Sequence, residues 1–190
     1  MAKDELRVCV IGGSAGSLEV LLDFLPAVTP DCALVVVLHR RLGDDMMLEE
    51  LIASRVGFPV PEVNDKTPLE NGKAYIAPAD YHLLFENDGV LSLDISEKVF
   101  YSRPSIDVAF TSAAEAFGAN TRGLLLSGAN QDGAFGLHAI RLAGGLTAVQ
   151  DPACAIFPAM PKYALEACAD HERLKPSEMA DFLSAHAKKV

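Results

Sequence analysis

The chain has 190 residues, half of them hydrophobic, with ordinary glycine and proline content. That composition suits one globular domain and excludes a disordered or low-complexity chain. Sixteen basic against 26 acidic residues give a net charge of −10, which argues against nucleic acid as a general partner, and no apolar run approaches the length of a membrane span.

The first element sets the frame. Residues 6–11, Leu-Arg-Val-Cys-Val-Ile, have the length and β-branched content of a buried strand. Leu18, Leu21, Leu22 and Leu25 then recur at helical spacing. Between them Gly12-Gly-Ser14-Ala-Gly16 reads G-x-S-x-G, the pattern of a tight strand-to-helix turn that lifts a serine hydroxyl above a sheet edge. The glycines suit such a turn, which needs positive φ and close helix–strand packing. A phosphate cradle or a plain turn fits the same stretch. The dinucleotide fingerprint does not, because Ser14 occupies its second glycine position, and no Gly-Lys-Ser/Thr follows.

Residues 33–38 form a second buried strand that ends at His39-Arg40-Arg41. Residues 44–56 read as a helix with Asp44 or Asp45 as N-cap, and residues 58–63 as a short third strand. Strands are also expected over 72–77, 82–86 and 90–94, the last two joined at Asn87-Asp-Gly89, a strong hairpin signal. Residues 93–101 carry no clear pattern. Arg103-Pro-Ser-Ile-Asp107 opens a helix to about Phe117, capped at Pro104 or Ser105. A strand over 122–126 leads into Ser127-Gly-Ala-Asn-Gln-Asp132-Gly133 and a helix to Leu142. A strand over 146–150, a loop over 151–158, a helix over 161–169 and a last helix over 176–187 complete the chain.

Strands alternating with helices predict a three-layer, doubly wound α/β fold, Rossmann-like, with a mostly parallel sheet and an inserted antiparallel hairpin. A single domain over 1–190 is expected, without repeats or linkers. The N-terminus lacks a signal-peptide core, and Cys9, Cys32, Cys154 and Cys168 lack C-x-x-C spacing. Reduced cysteines in a cytoplasmic protein are therefore expected, and zinc is not. His138, His171 and His186 show no metal spacing with one another.

In an open parallel sheet, ligands bind outside the carboxyl ends of the strands. Ser14, His39 and Asp132 all fall there. They are the parts of a nucleophilic triad, in which the imidazole takes the hydroxyl proton and the carboxylate orients the ring. Taken singly, His39 also fits a plain rim residue and Asp132 a cap of the next helix.

Together with Ala74-Tyr-Ile-Ala-Pro78 and His82, Ser102-Arg-Pro-Ser-Ile-Asp107, Leu126-Ser-Gly-Ala-Asn-Gln-Asp-Gly-Ala134 and Met160-Pro161, these residues resemble the catalytic domain of the chemotaxis-receptor protein-glutamate methylesterases, the CheB family. The resemblance runs from Val8 to about Leu174. It implies hydrolysis of glutamyl methyl esters on methyl-accepting chemotaxis receptors, with methanol released, and in some members deamidation of receptor glutamines. It implies Ser14 as nucleophile, His39 as base and acid, Asp132 as orienting carboxylate, and the Ala129 N–H as oxyanion donor, without metal or cofactor. The sequence departs from the family pattern at Ala15, Ser17, Arg40 and Ala129, and the family's usual phospho-receiver domain is not expected within it. Arg40, Arg103 and Met160 are candidate substrate contacts, whereas Arg41 fits a solvated rim residue. The rival reading is a non-catalytic module on the same fold, either a receptor adaptor or a phosphate binder.

Overall fold

The computed structural model describes residues 6–29, 31–40 and 45–184, with only the backbone of 45–47. Six strands form a wholly parallel sheet in the order β4-β2-β1-β7-β8-β9: β1 (Val8–Gly13), β2 (Ala33–Leu38), β4 (Ala74–Ile76), β7 (Thr121–Leu125), β8 (Leu146–Gln150) and β9 (Glu172–Leu174). A separate antiparallel sheet, in the order β3-β6-β5, joins β3 (Thr67–Pro68), β6 (Val90–Asp94) and β5 (His82–Phe85). The expected hairpin is its β5–β6 pair. Gly89 takes φ 82° in the turn, and the Glu86 N–H donates to the Val90 carbonyl.

The central strands read as unbroken apolar runs because both faces are covered. On one face Val8, Val10, Val35, Val37, Leu125 and Val149 pack against α3 (Ile106–Phe117), α4 (Ala134–Leu142), α5 (Ala159–Ala167) and the small sheet. On the other, Cys9, Ile11, Leu34, Val36, Leu124 and Ala148 meet α1 (Ser17–Phe24), α2 (Asp45–Ala53) and α6 (Pro176–Ser184). The side-chain period of two sorts each strand between these layers. Among the described residues, no helix is long and apolar enough to cross a membrane.

Residues 58–63 do not form the expected third strand. They make one parallel bridge, Glu62 to Ile76, flanked by hydrogen bonds from Val63 N to the Ile76 carbonyl and from Ile76 N to the Pro61 carbonyl. Pro59 and Pro61 have no N–H to donate, so a ladder cannot extend there. Two strands went unpredicted. β3 is two residues long and contains Pro68, and β9 is a three-residue edge strand with two exposed side chains. Ser105 caps α3, accepting from Val108 N through its hydroxyl. The candidate cap Asp44, the rim residue Arg41 and His186 lie outside the described residues.

The sheet reverses its winding between β1 and β7, which leaves a crevice at their carboxyl ends. The geometry there depends on Gly12. A Cβ on it would stand 2.3 Å from Ile106 Cγ2 and 3.1 Å from Phe110 Cζ. Glycine therefore lets the first turn of α3 lie directly on β1. Gly12→Ala is expected to lower the unfolding free energy by about 1–3 kcal/mol, the usual cost of overpacking. Urea unfolding measures it, and an alanine variant as stable as the parent would contradict this packing.

Candidate active site

Ser14 stands in the turn between β1 and α1. Its N–H donates to the Ser127 carbonyl at 2.9 Å, tying the end of β1 to the end of β7. Its own carbonyl accepts from Ser17 N at 3.0 Å and Ser17 Oγ at 2.5 Å. The left-handed residue of the turn is Gly16, at φ 74°, and not the serine. The Ala15 and Gly16 N–H groups make no hydrogen bond among the described residues and carry the positive end of the α1 dipole. Buried Ser127 locks the turn from beneath: its hydroxyl donates to the Ala15 carbonyl at 2.8 Å and accepts from Phe157 N at 2.9 Å.

Asp132 has no exposed surface. Its Oδ2 accepts from His39 Nε2 at 2.6 Å and Ile106 N at 2.8 Å, and its Oδ1 from Ser105 Oγ at 2.8 Å and Asp107 N at 3.0 Å. The carboxylate thus sits on the N-terminus of α3, where free amides and helix dipole favour an anion. It does not cap α4, whose N-cap is Gly133 at φ 92°. Burial pushes the Asp132 pKa up, but the His39 hydrogen bond and the Asp107 and Ile106 amides outweigh it and hold the pKa below the ordinary carboxylate value.

Asp132 takes the Nε2–H of His39, which leaves Nδ1 as the free acceptor of a neutral ring. The Ser102 hydroxyl faces that Nδ1 at 3.2 Å. Ser14 and His39 line one cavity of about 680 Å³ with Arg40, Asp80, Lys98, Tyr101, Ser102, Arg103 and Asn130. Among the described residues, Ser14 Oγ makes no hydrogen bond to His39. Serine–histidine contacts of this kind commonly close only around substrate. A smaller groove that shares Ser14, His39 and Arg40 with this cavity is lined by Leu18, Leu38, Leu48 and Leu51.

The remaining candidates fall in different places. The Ala129 N–H, at the exposed turn after β7, makes no hydrogen bond among the described residues, as an oxyanion donor requires. Arg40 lines the cavity, with its guanidinium donating to Glu62 and, at 2.7 Å, to the Ala77 carbonyl. Arg103 donates to the Ile95 and Ser96 carbonyls at 2.7 and 2.8 Å and to Asp80 at 2.9 Å. Both arginines therefore brace the rim from within. Met160 is placed differently from the substrate contact expected of it. It is fully buried and packs on Gly128, where a Cβ would meet its Cε at 2.4 Å. Gly128 and Met160 also exchange a backbone hydrogen bond, Met160 N to the Gly128 carbonyl at 2.9 Å, so Met160 supports the turn that presents Ala129.

Sequence reasoning missed Ser102 as a partner of His39 and the joint role of Ser105 and His82. His82 is buried; its Nδ1 accepts from Ser105 N at 3.1 Å and its Nε2 donates to the Glu97 carbonyl at 2.9 Å. The hairpin turn before Ser102 holds Phe100 and Tyr101 at φ 47° and 63°, a costly conformation for aromatic residues, with Tyr101 97% exposed at the cavity mouth.

Residues 9–183 match the family model of the CheB methylesterases. A putative protein-glutamate methylesterase/protein-glutamine glutaminase of Leptospira interrogans is 38% identical over 160 residues, 83% of each chain. A protein-glutamate methylesterase/protein-glutamine glutaminase of Ralstonia nicotianae is 34% identical over 190 residues, covering 96% of this chain and 50% of that one. The chain thus spans about half the length of several curated relatives it matches. The crystal structure of the Thermotoga maritima CheB methylesterase catalytic domain superposes with a TM-score of 0.88 at 28% identity, covering 94% of this chain and 97% of that one.

A second carboxyl group beside the first gives the site a pH signature. Burial, opposed by the Gly136 amide and reinforced by the charge of Asp132, raises the Asp107 pKa to about 6. A raised carboxyl means that the folded state holds a proton the unfolded chain has lost, so this contribution to stability declines as pH rises from about 4 to about 6. Asp132 acts oppositely, since its lowered pKa supplies stability that is lost as pH falls below the ordinary carboxylate range. Asp107→Asn should therefore gain stability relative to the parent progressively between those two pH values. Denaturant unfolding at several pH values checks this, and a pH-independent difference would contradict it.

Proposed function

The chain belongs to the CheB methylesterase family, and from that premise we propose that it is a cytoplasmic serine hydrolase that removes methyl esters from glutamate side chains of chemotaxis receptors. Deamidation of receptor glutamines would use the same site. The observation that carries this reading is the pairing of His39 with a buried, ionised Asp132 at the sheet edge where Ser14 stands in the turn between β1 and α1.

In this reading Ser14 Oγ attacks the ester carbonyl while His39 Nδ1 takes its proton. The carbonyl oxygen becomes an oxyanion that accepts from the Ala129 N–H and from the free amides at the start of α1. The C–O bond to the methoxy group then breaks, and His39 returns the proton to the departing oxygen, releasing methanol. Water activated by the same imidazole hydrolyses the glutamyl-enzyme, restoring Ser14 and a glutamate. With glutamine the leaving group is ammonia. Asp132 keeps its charge throughout, holding the ring and stabilising the imidazolium.

Recognition of a glutamate-rich partner cannot rest on a net charge of −10. It rests in this reading on the rim, where Arg40, Lys98 and Arg103 outnumber the carboxylates Glu62 and Asp80 with which they pair. The leucine-lined groove beside Ser14 suits the apolar face of a receptor helix.

Ser102 touches the base, so the nucleophile needs a direct test. An organophosphonate should label one serine, and peptide mapping should find the adduct on Ser14. Ser14→Ala should lower methanol release from methylated receptor by roughly three orders of magnitude or more, with the fold retained. An adduct on Ser102, or turnover by the Ser14→Ala variant at the parent's rate, would overturn the assignment.

A further inference from the structure

A second cluster of chemically competent side chains lies away from the catalytic edge. His138 on α4, Cys168 just after α5 and His171 just before β9 bring one ligand atom each within 4.8 Å of one another. Nearby Thr147 lies toward the amino end of β8, whereas Ser14, His39 and Asp132 stand at carboxyl ends.

Two features separate this cluster from chance proximity. His138 Nδ1 and His171 Nε2 are both buried and have no hydrogen-bond partner among the described residues. Native interiors rarely leave such nitrogens unsatisfied, and two in one place point to something they bind together. The His171 ring is also oriented from behind. It is 3% exposed, and its Nδ1 pairs with Thr147 Oγ1 at 2.8 Å. With Nδ1 donating to that hydroxyl, Nε2 is left with a lone pair that no protein donor takes among the described residues. Ligating histidines are held this way through the other ring nitrogen. The local cation Arg141 is itself paired with Asp170 at 3.3 Å.

We propose that His138, Cys168 and His171 form a zinc(II) site that joins α4, the end of α5 and the edge strand β9, with a fourth position open to solvent. Two imidazoles and a thiolate are the borderline-soft donors zinc selects. Zinc–nitrogen and zinc–sulfur bonds of about 2.0 and 2.3 Å put tetrahedral neighbours about 3.4 Å apart, so donors lying within 4.8 Å of one another need to close by at most ~1.4 Å. Cys168 and His138 are only partly buried.

The test uses the full chain without an affinity tag. Competition against a chromophoric chelator should find one tightly bound zinc. Cobalt(II) in its place should give a thiolate-to-cobalt charge-transfer band and the intense visible bands of a four-coordinate ion. Cys168→Ser should abolish the charge-transfer band and weaken zinc binding at least ~100-fold, beyond the usual cost of losing an outer partner. Thr147→Val, which removes only the orienting hydroxyl, should weaken it about tenfold. Cys154→Ser, at the exposed cysteine, should change neither readout. Absence of stoichiometric zinc uptake, a cobalt spectrum without a thiolate band, or uptake unaltered by Cys168→Ser would overturn the proposal. Because the parent's cobalt spectrum reports the donor set by itself, the test stands even where a variant fails to fold.

Discussion

A buried carboxylate organises this molecule. Asp132 has no water to solvate it, and an unpaired charge in that position would cost several kcal/mol. Its partners come from distant parts of the chain: His39 at the end of β2, and Ser105 with the Ile106 and Asp107 amides at the start of α3. Those amides reach it only because α3 lies directly on β1, which requires Gly12, and because the turn after β7 passes through left-handed Gly133. Core packing and site geometry are therefore one constraint. The ring orientation of His39 follows from it. In the serine-protease template the carboxylate holds Nδ1 and the nucleophile faces Nε2. Here the carboxylate holds Nε2, and Nδ1 is the nitrogen presented to the cavity.

The cavity around that nitrogen is built by loops that spend their polar groups on one another. Arg103 gathers the carbonyls of residues 95 and 96 and the Asp80 carboxylate, His82 ties Ser105 to the Glu97 carbonyl, and Ser102 reaches His39. The left-handed pair Phe100 and Tyr101 turns the chain at the mouth. Strain held by such a network is a feature of functional rims.

The parts of this arrangement legible in the sequence were those with a local signature. The residues of β1 and β2 are apolar without interruption because helices cover both faces, and the glycines that end β1 announce close approach. Residues 58–63 misled because their apolar composition hides two prolines that cannot donate to a ladder, while β3 and β9 are too short to carry a period. His39 and Asp132 could be placed on one edge by topology alone. That Asp132 serves α3 and not the helix that follows it depends on a tertiary contact, and so does the approach of Ser102 to His39. The grouping of His138 with Cys168 and His171 was hidden for the same reason: α4 and the segment after α5 are adjacent only once the sheet has formed.

The central claim is the orientation of His39 by Asp132, and nitrogen NMR of the imidazole tests it most directly. With the histidines labelled, the neutral ring of His39 should carry its proton on Nε2, showing the signature of a strong hydrogen bond, while Nδ1 reports an unprotonated nitrogen. In Asp132→Asn that strong hydrogen bond should be lost. A His39 ring protonated on Nδ1, or a spectrum indifferent to Asp132→Asn, would contradict the account.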